Sequence, residues 1–181
     1  AVVDVIDIRY WHYKKDGIFA PEGGKNMAPR QHMRKMKVGK ITFNEAYKAV
    51  SEYRRKFPQK AVTFYAQNYP SMGWAVFMAS GSCPVIPCKD KAFLKDAAAM
   101  EVEETNTDQY KKLVKSDTGN IIYSKSGTEI PIHLSSGKYV LKYIHPNSGE
   151  VNTINKSLKI KGLYTLKVPD KKEGIYWFHK L

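Results

Sequence analysis

The amino-acid sequence opens with a short, nearly continuous apolar segment. Residues 2–9 (VVDVIDIR) are mostly β-branched and apolar, interrupted by Asp4 and Asp7. This pattern is typical of a strand that is covered on both faces, as in parallel α/β sheets. A long polar stretch rich in Gly, Lys and Pro follows over residues 14–41. A connection of that length with little periodicity favours a functional or disordered segment.

Helices and strands then alternate up to about residue 104. The motif TFNE at 42–45 is a capping box, and it predicts a helix that ends before Pro58. The patterns that follow predict, in order, a strand at 61–66, a short buried helix at 70–81, a very short strand at 83–86 and a helix at 90–100. This alternation predicts parallel strands joined by helical crossovers, and it indicates that further βα units precede residue 1.

The second half of the chain has an all-β pattern. Residues 101–112 (EVEETNTDQYKK) indicate a linker or a short bridging helix. After them we predict six strands, separated by turn signals such as Ser-Ser-Gly and Lys-Gly: NIIYSKSG, TEIPIHLS, GKYVLKYIHP, VNTINKSLKI, LYTLKV and GIYWFHKL. Short strands at regular spacing predict a small antiparallel sandwich or barrel.

The distribution of charge, the spacing of the cysteines and the lengths of the apolar runs reduce the number of functions that the sequence is compatible with. The net charge is +13, from 30 Lys+Arg against 17 Asp+Glu. The basic residues fall in two separated regions with no zinc-finger spacing, RNP-like signature or basic zipper, which does not favour nucleic acid as the partner. Cys83 and Cys88 match no zinc motif and are expected to be free thiols, so we predict no metal and no cofactor. No apolar run is long enough to cross a membrane, so no membrane insertion is expected.

The chemistry-bearing residues follow the first strand. Arg9, Tyr10, Trp11, His12 and Tyr13 stand at its carboxyl end. Aromatic faces stack on sugar rings, while Arg and His donate to hydroxyls or carboxylates. The alternative interpretation is ordinary aromatic packing at the end of a strand.

Residues elsewhere in the first half of the chain are further candidates for the sugar-binding site. Arg30 and His32 in the long loop either converge on the same cleft or are solvated loop residues. Gln67 ends the strand at 61–66, where many sugar-cleaving barrels carry a glutamate nucleophile. An amide can neither attack nor accept a proton, so the prediction is sugar binding rather than cleavage.

Long segments of the chain resemble a known family. DVIDIRYWHYKKDGIFAPEGGKNMAPRQHMR, TFNEAYKAVSEYRRKFPQKAV and GWAVFMASGSCPVIP resemble the C-terminal half of an uncharacterised bacterial family of glycoside-hydrolase-like barrel proteins. The tail, GKYVLKYIHPNSGEV and LYTLKVPDKKEGIYWFHKL, resembles the small β-sandwich domain that follows such barrels and is thought to bind collagen. His145 stands where that domain usually has an acidic residue before the proline.

The resemblance implies a fold, a substrate class and a location. It implies the last three βα units of a (β/α)₈ barrel over residues 1–104, with the N-terminal half of the barrel missing before residue 1. A small all-β antiparallel sandwich follows over 105–181. It also implies secretion to the periplasm or cell surface and an oligo- or polysaccharide partner. The cleft-lining residues that it implies are Arg9, Tyr10, Trp11, His12, Arg30, Gln31 and His32.

Two other functions remain open at this stage. The chain is alternatively a non-catalytic basic module for acidic glycans or nucleic acid, whose affinity would fall steeply with salt. In the simplest alternative, the sandwich stabilises the barrel and binds nothing.

Overall fold

A computed structural model describes residues 4–8, 13–14, 17–18, 42–64, 71–116, 118–170 and 172–181. For residues 13–14, 17–18 and 71 only the backbone is described. The chain divides into two compact units, residues 1–85 and 86–181. The predicted domain boundary at 104/105 stays a prediction, because these units reflect spatial packing alone.

The first unit contains four short strands and two helices in its described residues. They are β1 (Val5–Ile8), β2 (Tyr13–Lys14), β3 (Gly17–Ile18), α1 (Phe43–Lys56), β4 (Ala61–Phe64) and α2 (Ser71–Met78). β1 pairs with β4 in parallel, and β2 pairs with β3 antiparallel. The helix α1 therefore joins two parallel strands, as the alternating pattern predicts.

Local signals set the bounds of α1. The capping box is confirmed: the Thr42 backbone N–H donates to the Glu45 carboxylate at 2.7 Å, and the Glu45 N–H donates to the Thr42 hydroxyl at 3.3 Å. These bonds satisfy donors that a helix start otherwise leaves unpaired. Three basic residues in the last turn stabilise the helix, because they lie near the partial negative charge of its C-terminal end. Ala46 and Val50 on the inner side of α1 are fully buried, as are Val62 of β4 and Trp74 of α2.

The predicted strand at 83–86 does not form. Pro84 and Pro87 lack the backbone N–H that a ladder requires. Ser82 takes the place beside β4 instead: its N–H donates to the Val62 carbonyl at 2.6 Å, and its hydroxyl accepts from the Val62 N–H at 3.2 Å. Cys83 then has a φ of 53°, which turns the chain away from an extended course.

The predicted partial (β/α)₈ barrel is therefore wrong. Where that prediction requires three βα units with three parallel strands, the described residues contain one parallel pair, β1 and β4. They are otherwise dominated by antiparallel strands of a six-stranded sheet. None of the helices within the described ranges combines the length and the apolar character needed to cross a membrane.

The second unit is a single antiparallel sheet with one short helix in its described part. Its elements are α3 (Lys91–Ala97), β5 (Glu101–Glu103), β6 (Tyr110–Lys115), β7 (Gly119–Ser124), β8 (Glu129–Ile144), β9 (Val151–Lys167) and β10 (Gly174–Lys180). The strand order is β5-β6-β7-β10-β8-β9, so β5 and β9 form the two edges. The segment predicted as a linker or bridging helix, 101–112, instead contains β5 and the start of β6.

Two predicted turns are irregularities inside long strands. The Ser-Ser-Gly signal lies within β8, where the pairing with β9 shifts register between Leu134 and Gly137. The Lys-Gly signal lies within β9, where Gly162 has a φ of 96°. Four of the predicted strands therefore merge into β8 and β9.

The register shift in β8 is a β-bulge, and it keeps the same face of the strand in the core on both sides of the irregularity. Before it the buried residues are even-numbered (Ile130, Ile132, Leu134), and after it they are odd-numbered (Tyr139, Leu141, Tyr143). One extra residue reverses the alternation, so the same face stays apolar. These side chains form one core cluster with Ile122, Ile160, Leu166, Val168, Tyr176 and Phe178.

The opposite face of the sheet, which we call the outer face, is partly covered by α3. Phe93 of α3 meets the Trp177 ring of β10 edge-on, with the ring centroids 5.4 Å apart. Trp177 pairs with Ile121 of β7, and both are buried on this side. The central strands β7 and β10 are consequently buried on both faces over most of their length.

Candidate functional site

Most of the predicted sugar-binding residues lie outside the described residues. These are Arg9, Tyr10, Trp11, His12, Arg30, Gln31, His32 and Gln67. The exception is Tyr13, whose backbone forms the first residue of β2. The structure does describe the end of β1, which directly precedes the Arg9–Tyr13 cluster, and the end of β4 at Phe64, three positions before Gln67.

Those strand ends lie side by side. β1 and β4 are parallel and in register, with Ile8 paired to Phe64 at their last residues. One pair earlier, the Thr63 hydroxyl donates to the Asp7 carboxylate at 2.9 Å and joins the strands on their exposed face. Ile8 points to the other face and is buried. The two carboxyl ends thus form one paired edge, and the predicted binding residues begin one residue beyond Ile8.

The described carboxylates near this edge do not form a facing pair. Asp4 is 86% exposed and its Oδ1 lies 3.9 Å from the Lys60 ammonium. Asp7 accepts from Thr63. These aspartates are three positions apart along an extended chain, so their side chains point to opposite faces. They therefore lack the arrangement that glycoside hydrolysis needs across a scissile bond.

A second constellation, in the other unit, centres on Asp96. Its Oδ2 accepts from the Trp177 indole N–H at 2.8 Å and lies 3.4 Å from His179 Nδ1. Its Oδ1 lies 3.3 Å from the Lys115 ammonium. The carboxylate is buried but fully engaged, which is the condition under which a buried charge is tolerated. Asp90 caps the helix that carries it by accepting from the Phe93 N–H at 2.9 Å.

The Asp96 cluster was not predicted from the sequence. Its Trp and His partners lie 81 and 83 residues further along the chain. The three strands β6, β7 and β10 bring them together, because Lys115 pairs with Gly119 and Gly119 pairs with His179. No local spacing carries that information, although a lone aspartate on the apolar side of a predicted helix is a usable hint.

A third group joins the turn before β10 to the sheet. The Tyr123 hydroxyl donates to the Glu173 carboxylate, and the Tyr143 hydroxyl donates to the Glu173 carbonyl at 3.0 Å. Burial raises the pKa of Tyr123 well above its ordinary value, and its hydrogen bond to Glu173 raises that pKa further. Burial likewise raises the pKa of Tyr176 to about 12. These phenols stay neutral over the physiological range, which suits a structural role.

The two cysteines are free. Cys83 is exposed and Cys88 is buried. Burial raises the pKa of the Cys88 thiol, which disfavours the reactive thiolate.

Among its described residues, the chain has one unit with a parallel strand pair and two helices, and a second unit with a six-stranded antiparallel sheet and one short helix. Its residues 1–100 match the family described as a domain of unknown function, DUF6298, and the chain belongs to that family. No curated protein matches the chain.

Solved structures with some similarity include glycoside hydrolases. One is a glycoside hydrolase family 5 protein from Bacteroides vulgatus ATCC 8482, with 10% identity and a TM-score of 0.49 over 83% of this chain and 48% of that one. Another is a family 44 xyloglucanase from Paenibacillus polymyxa, with 9% identity and a TM-score of 0.36 over 77% of this chain and 29% of that one. The chain thus spans about half or less of the length of these proteins. The collagen-binding type of the second domain stays a prediction.

Proposed function

We propose that this chain is part of a carbohydrate-active protein and that its first unit holds a sugar chain. The observation that carries the proposal is the paired edge formed by the ends of β1 and β4 at Ile8 and Phe64. In the sequence, Arg9 and the four aromatic residues after it directly follow one of these strand ends, and Gln67 lies three positions after the other. Parallel strands commonly carry binding residues at their carboxyl ends.

The proposed role is binding rather than cleavage. An amide at Gln67 cannot serve as nucleophile or base, and Asp4 and Asp7 point to opposite faces of their strand. Aromatic rings, an arginine and an amide instead suit stacking on sugar rings and hydrogen bonding to hydroxyls. Turnover of polysaccharide fragments by this chain would contradict this part of the proposal.

The second unit is proposed to serve as an accessory β-domain. A periplasmic or extracellular location belongs to the same proposal. The resemblance of the sequence to glycoside-hydrolase-like proteins supports both statements.

Calorimetric titration of neutral oligosaccharides against the full chain tests the proposal. Replacing Trp11 by Ala removes a stacking surface and is expected to weaken binding about tenfold, as loss of an aromatic anchor commonly does. The matched control is Phe57→Ala, which removes a partly exposed ring in the same unit, at the end of α1. That variant is expected to bind as the parent does.

Two results would overturn the proposal. One is the absence of binding across a panel of neutral oligosaccharides. The other is an equal loss of affinity in Trp11→Ala and Phe57→Ala, because that would indicate a general loss of folding rather than a site at the strand ends.

A further inference from the structure

A cluster of basic side chains lies on the outer face of the second unit. Directly paired residues of a sheet project to the same face. One row of paired residues runs across β6, β7, β10 and β8 on this face. It consists of Lys115, Gly119, His179 and Val140. Lys138 and Lys142 lie two residues to either side of Val140 and therefore share its face.

The cluster continues onto β9. Lys138 pairs with Lys159, and Lys161 lies two residues further along the same strand. The intervening Ile160 is buried in the core, which confirms that its two neighbours face outward. We call Lys138, Lys142, Lys159 and Lys161 the lysine face.

The four ammonium groups of the lysine face have no ion-pair partner among the described residues. The carboxylates that lie on the outer face are already engaged. Asp96 contacts Lys115 and His179, and Glu129 lies 3.2 Å from Lys167 at the far end of the β8–β9 ribbon. β9 itself contains no acidic residue over its 17 positions. Lys142 lies 4.4 Å above the centroid of the Trp177 ring, a contact that fixes its position but leaves its charge unneutralised.

The pairing of Lys138 with Lys159 is unfavourable by itself. Side chains that are directly opposite on neighbouring strands have Cβ atoms about 5 Å apart, and like charges there reduce sheet stability. Lys159 and Lys161 are about 7 Å apart along one face of the strand. The result is a run of positive charges at short, regular spacing.

Protection of a sheet edge explains only part of this arrangement. Lysines on an edge strand prevent pairing with other chains, and β9 is an edge strand. β8, however, lies between β10 and β9. Lys138 and Lys142 therefore protect no edge, and their alignment with the β9 lysines needs another reason.

We propose that the lysine face binds an acidic polysaccharide through the carboxylate or sulfate groups of its sugars. Lysine ammonium groups act as point charges that accept anions without a demanding geometry. A row of them on an extended ribbon matches a linear chain with regularly repeated negative groups. An anion between Lys138 and Lys159 also removes their mutual repulsion.

A single-stranded nucleic acid fits this surface less well. Proteins that bind single strands add aromatic platforms on which the bases stack. The tryptophan and tyrosine rings that the described residues contribute to the outer face, Trp177 and Tyr123, are both buried, and the partly exposed His179 ring is held beside Trp177 and Asp96. The surface thus offers charge without stacking.

Binding of polygalacturonate to the full chain tests this proposal, with uncharged dextran and an oligo-dT single strand for comparison. We expect polygalacturonate to bind at low salt and its affinity to fall as salt is raised, since exposed charges are screened. The double variant Lys138→Gln/Lys159→Gln is expected to bind about fivefold more weakly or worse, at about 0.5 kcal/mol for each exposed contact.

The matched control is Lys48→Gln/Lys56→Gln. These exposed lysines lie on α1 in the other unit, and their removal changes the net charge equally. The control is expected to change the affinity less than about twofold, because separated surface charges are largely screened. The thermal stability of Lys138→Gln/Lys159→Gln should be unchanged or slightly higher, since a like-charge pair is removed.

Three outcomes would overturn the proposal: no binding of polygalacturonate at low salt, equal losses in the two double variants, or tighter binding of oligo-dT than of polygalacturonate. The first unit is tested separately, because Trp11→Ala is expected to leave polygalacturonate binding unchanged. If the first unit fails to bind neutral oligosaccharides, the proposal for the lysine face is therefore still tested by the polygalacturonate experiment.

Discussion

Removal of the Asp96 carboxylate is expected to destabilise the second unit markedly. Asp96 is buried, and it accepts the indole N–H of Trp177, which is itself buried. In Asp96→Ala that N–H loses its acceptor inside the protein, beneath α3. We therefore predict a large loss of stability from a side chain that forms no part of either proposed binding surface.

The expected loss of unfolding free energy can be worked out from the contacts of Asp96. A buried donor left without a partner costs about 1–3 kcal/mol. The contacts of Asp96 with Lys115 and His179 add about 0–1 kcal/mol each, because those partners are 43% and 49% exposed. The sum is about 1–5 kcal/mol for Asp96→Ala. Asp96→Asn keeps an oxygen acceptor for Trp177 and loses only the charge, so about 1 kcal/mol is expected.

Urea unfolding followed by NMR measures this loss in the second unit specifically. The indole N–H signal of Trp177 reports that unit, since Trp11 and Trp74 lie in the first one. The signal is assigned by its absence in Trp177→Phe. Following one tryptophan per unit avoids the assumption that both units unfold together.

Glu129→Gln is the matched control. Glu129 lies 3.2 Å from the Lys167 ammonium, which is close to the 3.3 Å between Asp96 and Lys115. Unlike Asp96, however, Glu129 is exposed, and so is Lys167. Its removal is expected to change stability by less than about 0.5 kcal/mol. If Asp96→Ala costs no more than Glu129→Gln, burial of the indole donor is not what makes Asp96 important and the reasoning is wrong.

Further predictions concern turns, caps and alkaline pH. Gly149→Ala should cost more free energy of unfolding than Gly162→Ala: both have positive φ, but a Cβ at Gly149 would overlap the backbone of Pro87, whereas no described atom lies within 4 Å of one at Gly162. Equal costs in thermal unfolding would contradict this. Thr42→Ala should cost about 1 kcal/mol through loss of the helix cap, and unchanged urea unfolding of the first unit would refute it. Because burial raises the pKa of Tyr176 to about 12, the folded state keeps a proton that the unfolded chain loses near pH 10. The contribution of Tyr176 to stability should therefore hold below about pH 10 and fall by up to about 1.4 kcal/mol per pH unit towards pH 12, and an unchanged melting temperature over that range would exclude it.

Short-range features could be predicted from the sequence because their causes are local. The bounds of α1 follow from Thr42, Glu45 and Pro58, whose hydrogen bonding and ring geometry act on their immediate neighbours. The antiparallel character of the second half follows from alternation in segments such as YVLKYI. The failure of a strand at 83–86 could also have been inferred, since two prolines in six residues remove ladder donors.

Long-range features required the tertiary structure. Gly137 and Gly162 permit either a turn or a bulge, and the partner strand decides between them, so two predicted turns became irregularities inside β8 and β9. Lys115, Asp96 and His179 come together because β10, which lies about 50 residues after β7 in the sequence, pairs with β7.

The sequence by itself determined the helix cap at Thr42, the strand-forming segments from residue 120 onwards and the cluster at Arg9–Tyr13. Only the tertiary structure decided that β1 and β4 end side by side, that Asp96 anchors Trp177, and that lysines of two strands share one face. The reason is physical: propensity and capping act over a few residues. Strand register, in contrast, depends on packing between distant segments, and a shift of one residue moves every side chain to the other face.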